Sequence, residues 1–229
     1  MNKPSKRMSA NRESIDSSQH YSLDEAISLL KKTSNAKFNE TIDIAINLGI
    51  DSKKSDQNVR GSMVLPNGTG KTLRVIVFAQ DEQVDAAKNA GADEVGFEDL
   101  AERIKSGFSE FDLVIATPDT MRVVGQLGQI LGPKGMMPNP KDGTVTKNIE
   151  DAVIKAKTGQ IRFRNDKGGV VHCPIGKIGF TEASIKENLQ SLLDEIVKSK
   201  PSSSKGAFIT KVTVSSTMGP GIIIDHNSL

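Results

Sequence analysis

Arg162 and Arg164 alternate with Ile161 and Phe163 in the run from Gln160 to Cys173. Successive strand side chains point to opposite faces, so this spacing predicts an apolar face for a core and a basic face turned outward. Asn165 to Gly169 has turn chemistry, and the whole run is expected to form a hairpin. Outward cations neutralise phosphates, which is how a sheet would present itself to a polyanion. The alternative is an ordinary solvated face, since charged side chains are mostly exposed in any protein.

Other residues invite different chemistry and do not sustain it. Gly68-Thr69-Gly70-Lys71-Thr72 suggests a phosphate loop, but the required earlier glycine is Leu65, and the segment precedes a strand instead of opening a helix. After the apolar strand expected at Leu73 to Phe78 comes Ala79-Gln80-Asp81-Glu82, with no glycine to admit a dinucleotide pyrophosphate. His20, His172 and His226 lack metal-site spacing, and no cysteine nucleophile has a partner at a motif-like distance. No catalytic residue, cofactor or metal is expected. A nucleotide-dependent α/β enzyme is nevertheless kept as the rival class.

The elements that would position these residues fall into two kinds. Ser22 to Glu25 has capping-box spacing and starts an amphipathic helix through Leu30. Thr41 to Ile50 alternates as a strand, with Ile42, Ile44, Ile46 and Leu48 on one side. Thr181 to Lys200 is an amphipathic helix, and Ala207 to Thr217 a second alternating strand. Between these ends, Leu73 to Phe78 and Phe111 to Thr117 are buried-type strands. Helices are expected at Asp81 to Ala90, Leu100 to Ile104 and Asn148 to Lys157, the last capped by Asn148. Residues 51–62 read as a polar interruption, and residues 1–20 as an arm ordered only against a partner.

The expected fold is therefore α/β and α+β in two domains. Residues 1–66 and 160–229 form a discontinuous α+β domain, and 67–159 an inserted Rossmann-like α/β domain. The two crossings between them are expected to act as a hinge.

Composition narrows the class further. The formal charge is only +2, but residues 1–66 carry 10 Lys and Arg against 8 acids, residues 67–159 carry 11 against 14, and residues 160–229 carry 9 against 6. The basic excess thus sits on the two ends. One cysteine excludes an intrachain disulfide and a multi-cysteine zinc site, and fits a reducing, cytoplasmic setting. No apolar run has signal-peptide or membrane-span length. At 4% aromatics, extensive base-stacking platforms are not expected. Nothing signals oligomerisation, so a monomer is expected when the chain is free.

Leu131 to Thr144 holds three prolines and three glycines in fourteen residues, which fixes an irregular exposed loop bearing Lys134 and Lys141. Together with Ser55 to Gly61, Phe163 to Lys167 and Ser216 to Pro220, this loop closely resembles the bacterial large-subunit ribosomal protein L-one family. The resemblance runs from about Met8 to Ile224.

The resemblance implies a terminal α+β domain with an inserted α/β domain. It implies binding to large-subunit rRNA at the mobile stalk beside the transfer-RNA exit site, among other ribosomal components, and repression of the chain's own operon mRNA. The implied rRNA-binding residues are Lys37, Phe38, Thr41, Arg164, Asp166, Lys167, Lys211, Ser215, Thr217, Met218 and Gly219. Lys134 and Lys141 are the expected transfer-RNA-facing residues. Asp166 is the odd member, since phosphates repel a carboxylate. It is expected to accept from a base amino or ribose hydroxyl group, or to orient Arg164 or Lys167.

Overall fold

The computed structural model describes residues 5–16, 19–80 and 82–225; His226 lies outside them. The chain separates into two compact units, Met1–Gly70 with Ile161–Leu229, and Lys71–Gln160.

The first unit begins with α1 (Lys6–Glu13) and α2 (Leu23–Thr33). Ser22 and Glu25 close the expected capping box on α2, and Leu23, Ala26, Ile27 and Leu30 are buried. Helix α1 replaces the expected arm. It docks through Asn11, buried and donating to Thr33 O at 2.9 Å, and Ile15 is buried just beyond it. A polar contact has no apolar period, so the helix left no amphipathic signal. Strand β1 (Thr41–Leu48) shows the full alternation, with Ile42, Ile44, Ile46 and Leu48 buried.

The stretch read as a polar interruption holds a 3-10 turn, Ser55–Gln57, and strand β2 (Arg60–Val64). Gly61 sits where a Cβ would come within 2.6 Å of the Phe163 ring. A packing need therefore put a poor strand former inside the strand.

The chain then builds the second unit from β3 (Val75–Phe78), α3 (Glu82–Asn89), β4 (Glu94–Gly96), α4 (Glu98–Lys105), β5 (Leu113–Ala116), α5 (Met121–Gln126), α6 (Gly128–Leu131) and α7 (Ile149–Thr158). A parallel sheet of order β4-β3-β5 has a core on each face. Val75, Val77, Leu113 and Ile115 pack with α3 and α7 residues, whereas Ile76, Phe78, Val114 and Ala116 pack with α4, α5 and α6 residues. Burial on both faces explains the continuous apolar runs.

The chain returns with β6 (Gln160–Arg164), β7 (Val170–Lys177), α8 (Glu182–Lys198), β8 (Ile209–Ser216) and β9 (Ile222–Ile224). A four-stranded sheet has the order β7-β1-β8-β9, with every pairing antiparallel. Its inner face packs on α2 and α8 residues in one core.

The expected hairpin is corrected. β6 pairs with β2 in a separate two-stranded sheet, and among the described residues its continuation meets β7 through an Asn165–Val171 bridge and the Asp166 N–H to Val170 O bond at 2.8 Å. Val59 is the cause: its carbonyl takes the Asn165 N–H at 3.0 Å, and its own N–H goes to Asn165 Oδ1 at 2.8 Å. The alternation on β6 holds, with Ile161 and Phe163 buried and Arg164 exposed.

The glycine-bearing loop after β2 is tied down. Asn188, fully buried, donates to Gly68 O at 3.0 Å and accepts the Asn67 N–H at 3.0 Å. It connects β2 to β3 and opens no helix, so it lacks the architecture of a phosphate loop.

Candidate nucleic-acid interface

Because β1 runs antiparallel to both neighbours, its first residues meet the last residues of β7 and β8. Thr41 lies opposite Lys177, and Ile42 opposite Ser216. The Thr217 N–H donates to Thr41 O at 3.0 Å, and Thr217 Oγ1 accepts the Thr41 N–H at 3.0 Å. Lys177 Nζ donates to Thr41 Oγ1 at 3.0 Å. The two threonine hydroxyls, expected to face a nucleic acid, are thus engaged within the protein, where they set the path of the segment that follows.

That segment is held from below by Glu40, only 2% exposed. Glu40 accepts the Met218 N–H at 2.9 Å and the Ala36 N–H at 3.2 Å. Burial opposes its ionisation, but the Ser216 hydroxyl beside it, the amides of Met218 and Ala36, and the charge of Arg7 prevail and hold its pKa below the usual glutamate value. A Cβ on Gly219 would stand 2.5 Å from Ser216 Oγ, so the turn requires glycine there for space. With its backbone fixed, Met218 projects its side chain 47% exposed, and Phe38 on the loop before β1 is 54% exposed. Exposed apolar groups on a fixed frame suit packing against sugars and unstacked bases.

The outward face of the sheet continues from this corner. Asp43 lies between Pro174 and Ser215, Ala45 between His172 and Thr213, and Asn47 between Val170 and Lys211. Burial pushes the Asp43 pKa up, against the charges of Lys177 and His172. From Thr41 to Asn47 the strand spans about 20 Å, and at its far end β7 begins at the turn carrying Arg164, Asp166 and Lys167.

Asp166 anchors that turn. Its Oδ1 accepts the N–H groups of Gly168 and Val170, each at 2.8 Å. The Val170 amide is the main cause of its lowered pKa, with the Gly168 amide and His172 adding to it against the burial penalty. His172 Nε2 lies 3.8 Å from Asp166 Oδ2.

The predicted residues therefore occupy two corners and the face between them. Lys37, Phe38, Thr41, Ser215, Thr217, Met218 and Gly219 gather around the start of β1, whereas Arg164, Asp166 and Lys167 form the distant turn, with Lys211 towards that end. Lys134 and Lys141 belong to the other unit. Both are exposed on the proline- and glycine-rich loop, which Asn139 and Thr144 close through the Asn139 N–H to Thr144 Oγ1 bond at 2.8 Å.

Sequence reasoning missed Glu40, Asp43, Lys177 and His172. A carboxylate buried by hydrogen bonds carries no periodic signal, although Asp43 and His172 sit at outward positions of strands. Among the described residues no cluster of three or more His, Cys, Asp or Glu side chains is placed to hold a metal.

The model of the Ribosomal protein L1p/L10e family matches residues 30–220. The chain is similar to the large ribosomal subunit protein uL1 of Tolumonas auensis, 60% identical over 229 residues covering all of this chain and 98% of the relative. The proteins of that name from Mannheimia succiniciproducens and Haemophilus influenzae are 59% and 58% identical, each over the full length of both chains. With a family match over most of its length and full-length relatives at this identity, the chain belongs to the Ribosomal protein L1p/L10e family.

Proposed function

We propose that the chain is a structural constituent of the large ribosomal subunit and binds large-subunit rRNA at the mobile stalk through the first unit. The observation that carries this reading is the outward sheet face running from the Thr41–Thr217 corner to the Arg164–Lys167 turn. Cations supply affinity by displacing counterions from phosphates, and the fixed backbone at Met218 and Gly219 supplies shape. The family is one of ribosomal proteins, so the chain is not an enzyme, and the ribosome places it in the cytoplasm.

The second unit's part in this reading is to meet the exiting transfer RNA through Lys134 and Lys141, assisting its release. The same rRNA-binding surface would take a matching fold in the chain's own operon mRNA and so repress it.

Reconstitution tests the whole reading. Large subunits stripped of their resident relative should take up this chain stoichiometrically and regain transfer-RNA release. Uptake without recovered release would remove the transfer-RNA role, recovery unaffected by replacing Lys134 and Lys141 would remove their assignment, and no uptake would overturn the ribosomal reading.

A further inference from the structure

An open cleft of about 460 Å³ lies beside the basic turn, lined by Ser52 and Asn58 on one wall and Arg164, Asn165, Asp166 and Lys167 on the other. We propose that this cleft holds one sugar–phosphate unit of the bound RNA, and that the loop of residues 51–58, with Lys53 and Lys54, is a second phosphate-contacting wall. The inference rests on the RNA-binding reading above and extends it to a loop outside the predicted set.

The walls are preorganised. Buried Asn165 ties them together: its Oδ1 accepts the Val59 N–H at 2.8 Å, and its Nδ2 donates to Asn58 Oδ1 at 3.3 Å and to Asp166 O at 3.0 Å. Ser52 Oγ donates to Lys167 O across the cleft. The loop itself is fixed by Gln57, buried, whose Oε1 accepts the Asp51 N–H at 2.8 Å and whose Nε2 donates to Ser203 O at 3.3 Å. A ligand entering here meets a rigid frame and little ordering penalty.

Charge and polarity specify the ligand. Lys53, Lys54, Arg164 and Lys167 are exposed, and none has an ion-pair partner among the described residues. Other cations are neutralised within the protein, Lys71 by Asp112, Arg103 by Glu94 and Lys157 by Asp93. Arg164 and Lys167 line the cleft and Lys53 and Lys54 follow Ser52 of the facing wall in the chain, a concentration of positive charge that favours an anion.

The carboxylate of Asp166 in the lining weighs against a free phosphate dianion. Its Oδ1 is engaged by two amides, which leaves Oδ2, with His172 3.8 Å away, to accept a hydroxyl hydrogen. A ribose hydroxyl beside a singly charged phosphodiester satisfies both demands, and deoxyribose does not.

The test uses the full chain and a stalk rRNA fragment across a salt series. Lys53→Ala with Lys54→Ala should weaken binding about tenfold at low salt and flatten the log–log salt slope by roughly 1.4 to 1.8, the loss of two phosphate contacts. An unchanged slope with unchanged affinity would overturn the proposal. Ser55→Cys carrying an iron–EDTA tether should cleave the bound RNA locally, and a bound complex without cleavage would equally overturn it. If the native chain fails to bind the fragment, the RNA-binding reading falls first; if only the two variants behave as though the loop were distant, the cleft alone falls.

Discussion

Thr41 and Thr217, 176 positions apart, are locked by three hydrogen bonds: Thr217 N–H to Thr41 O at 3.0 Å, Thr41 N–H to Thr217 Oγ1 at 3.0 Å, and Thr217 Oγ1 to Thr41 O at 3.3 Å. Two distant parts of the first unit thereby close one end of a sheet. The residue that follows, Met218, is held to Glu40 from beneath and faces outward.

Thr217→Val preserves shape and removes the hydroxyl from this lock. The expected stability loss is about 0.5–1.5 kcal/mol, the net worth of such a bond, measured by urea unfolding. RNA affinity should also fall, because the Met218 path is held less firmly once only the Thr217 N–H to Thr41 O and Met218 N–H to Glu40 bonds remain. Equal binding by the variant would show that the lock does not position the surface.

Gly219→Ala should destabilise the protein by about 1–3 kcal/mol through overpacking, since the new Cβ would stand 2.5 Å from Ser216 Oγ. Ser216→Ala removes that oxygen at its own cost to Glu40, so Gly219→Ala should cost less in the Ser216→Ala background than in the native chain. A double-mutant cycle reads this directly. Simple additivity would mean that the glycine serves some other purpose.

Two carboxylates should give opposite pH signatures. Glu40 has a folded pKa below the usual glutamate value, so its contribution is present above that usual value and is lost as pH falls through the folded pKa. Glu40→Gln should therefore flatten the acid limb of the stability profile and weaken RNA binding near neutrality. Asp43 has a folded pKa above the usual aspartate value, so ionising it opposes folding as pH rises. Asp43→Asn should stabilise the chain at neutral pH. Unfolding curves from pH 3 to 8 check both signs.

Cys173 is buried in the inner face of β7, and its thiol is pushed up to about 12 by burial and by Asp43. It should resist a thiol reagent at pH 8 in the native chain and react stoichiometrically once unfolded. Rapid native labelling would contradict the packing of the central sheet.

The elements most legible in the sequence were those whose burial is periodic. β1 shows its alternation through Ile42, Ile44, Ile46 and Leu48, and α8 shows Ile185, Leu189, Leu192 and Ile196 on its buried side. Less legible was whatever rests on single long-range contacts that leave no period in the sequence. Helix α1 docks by Asn11, β2 contains Gly61 for the sake of Phe163, and Asn165 diverts β6 to the Val59 segment. The candidate interface divides in the same way. Arg164 and Lys211 stand at outward strand positions that alternation exposes, whereas the Thr217–Gly219 corner depends on pairing across the whole chain and was reached by family resemblance. Glu40 had no signal of either kind.

The most direct test of the central claim is the affinity of the native chain for a large-subunit stalk rRNA fragment across a salt series, beside Thr217→Val with Met218→Ala. Native binding should be tight and fall steeply with salt, by about a thousandfold or more between 50 and 200 mM if six or more phosphates are contacted. The double variant should retain its fold and the steep slope but lose most of its affinity. Binding by the variant equal to that of the native chain would place the RNA on another surface and contradict the account.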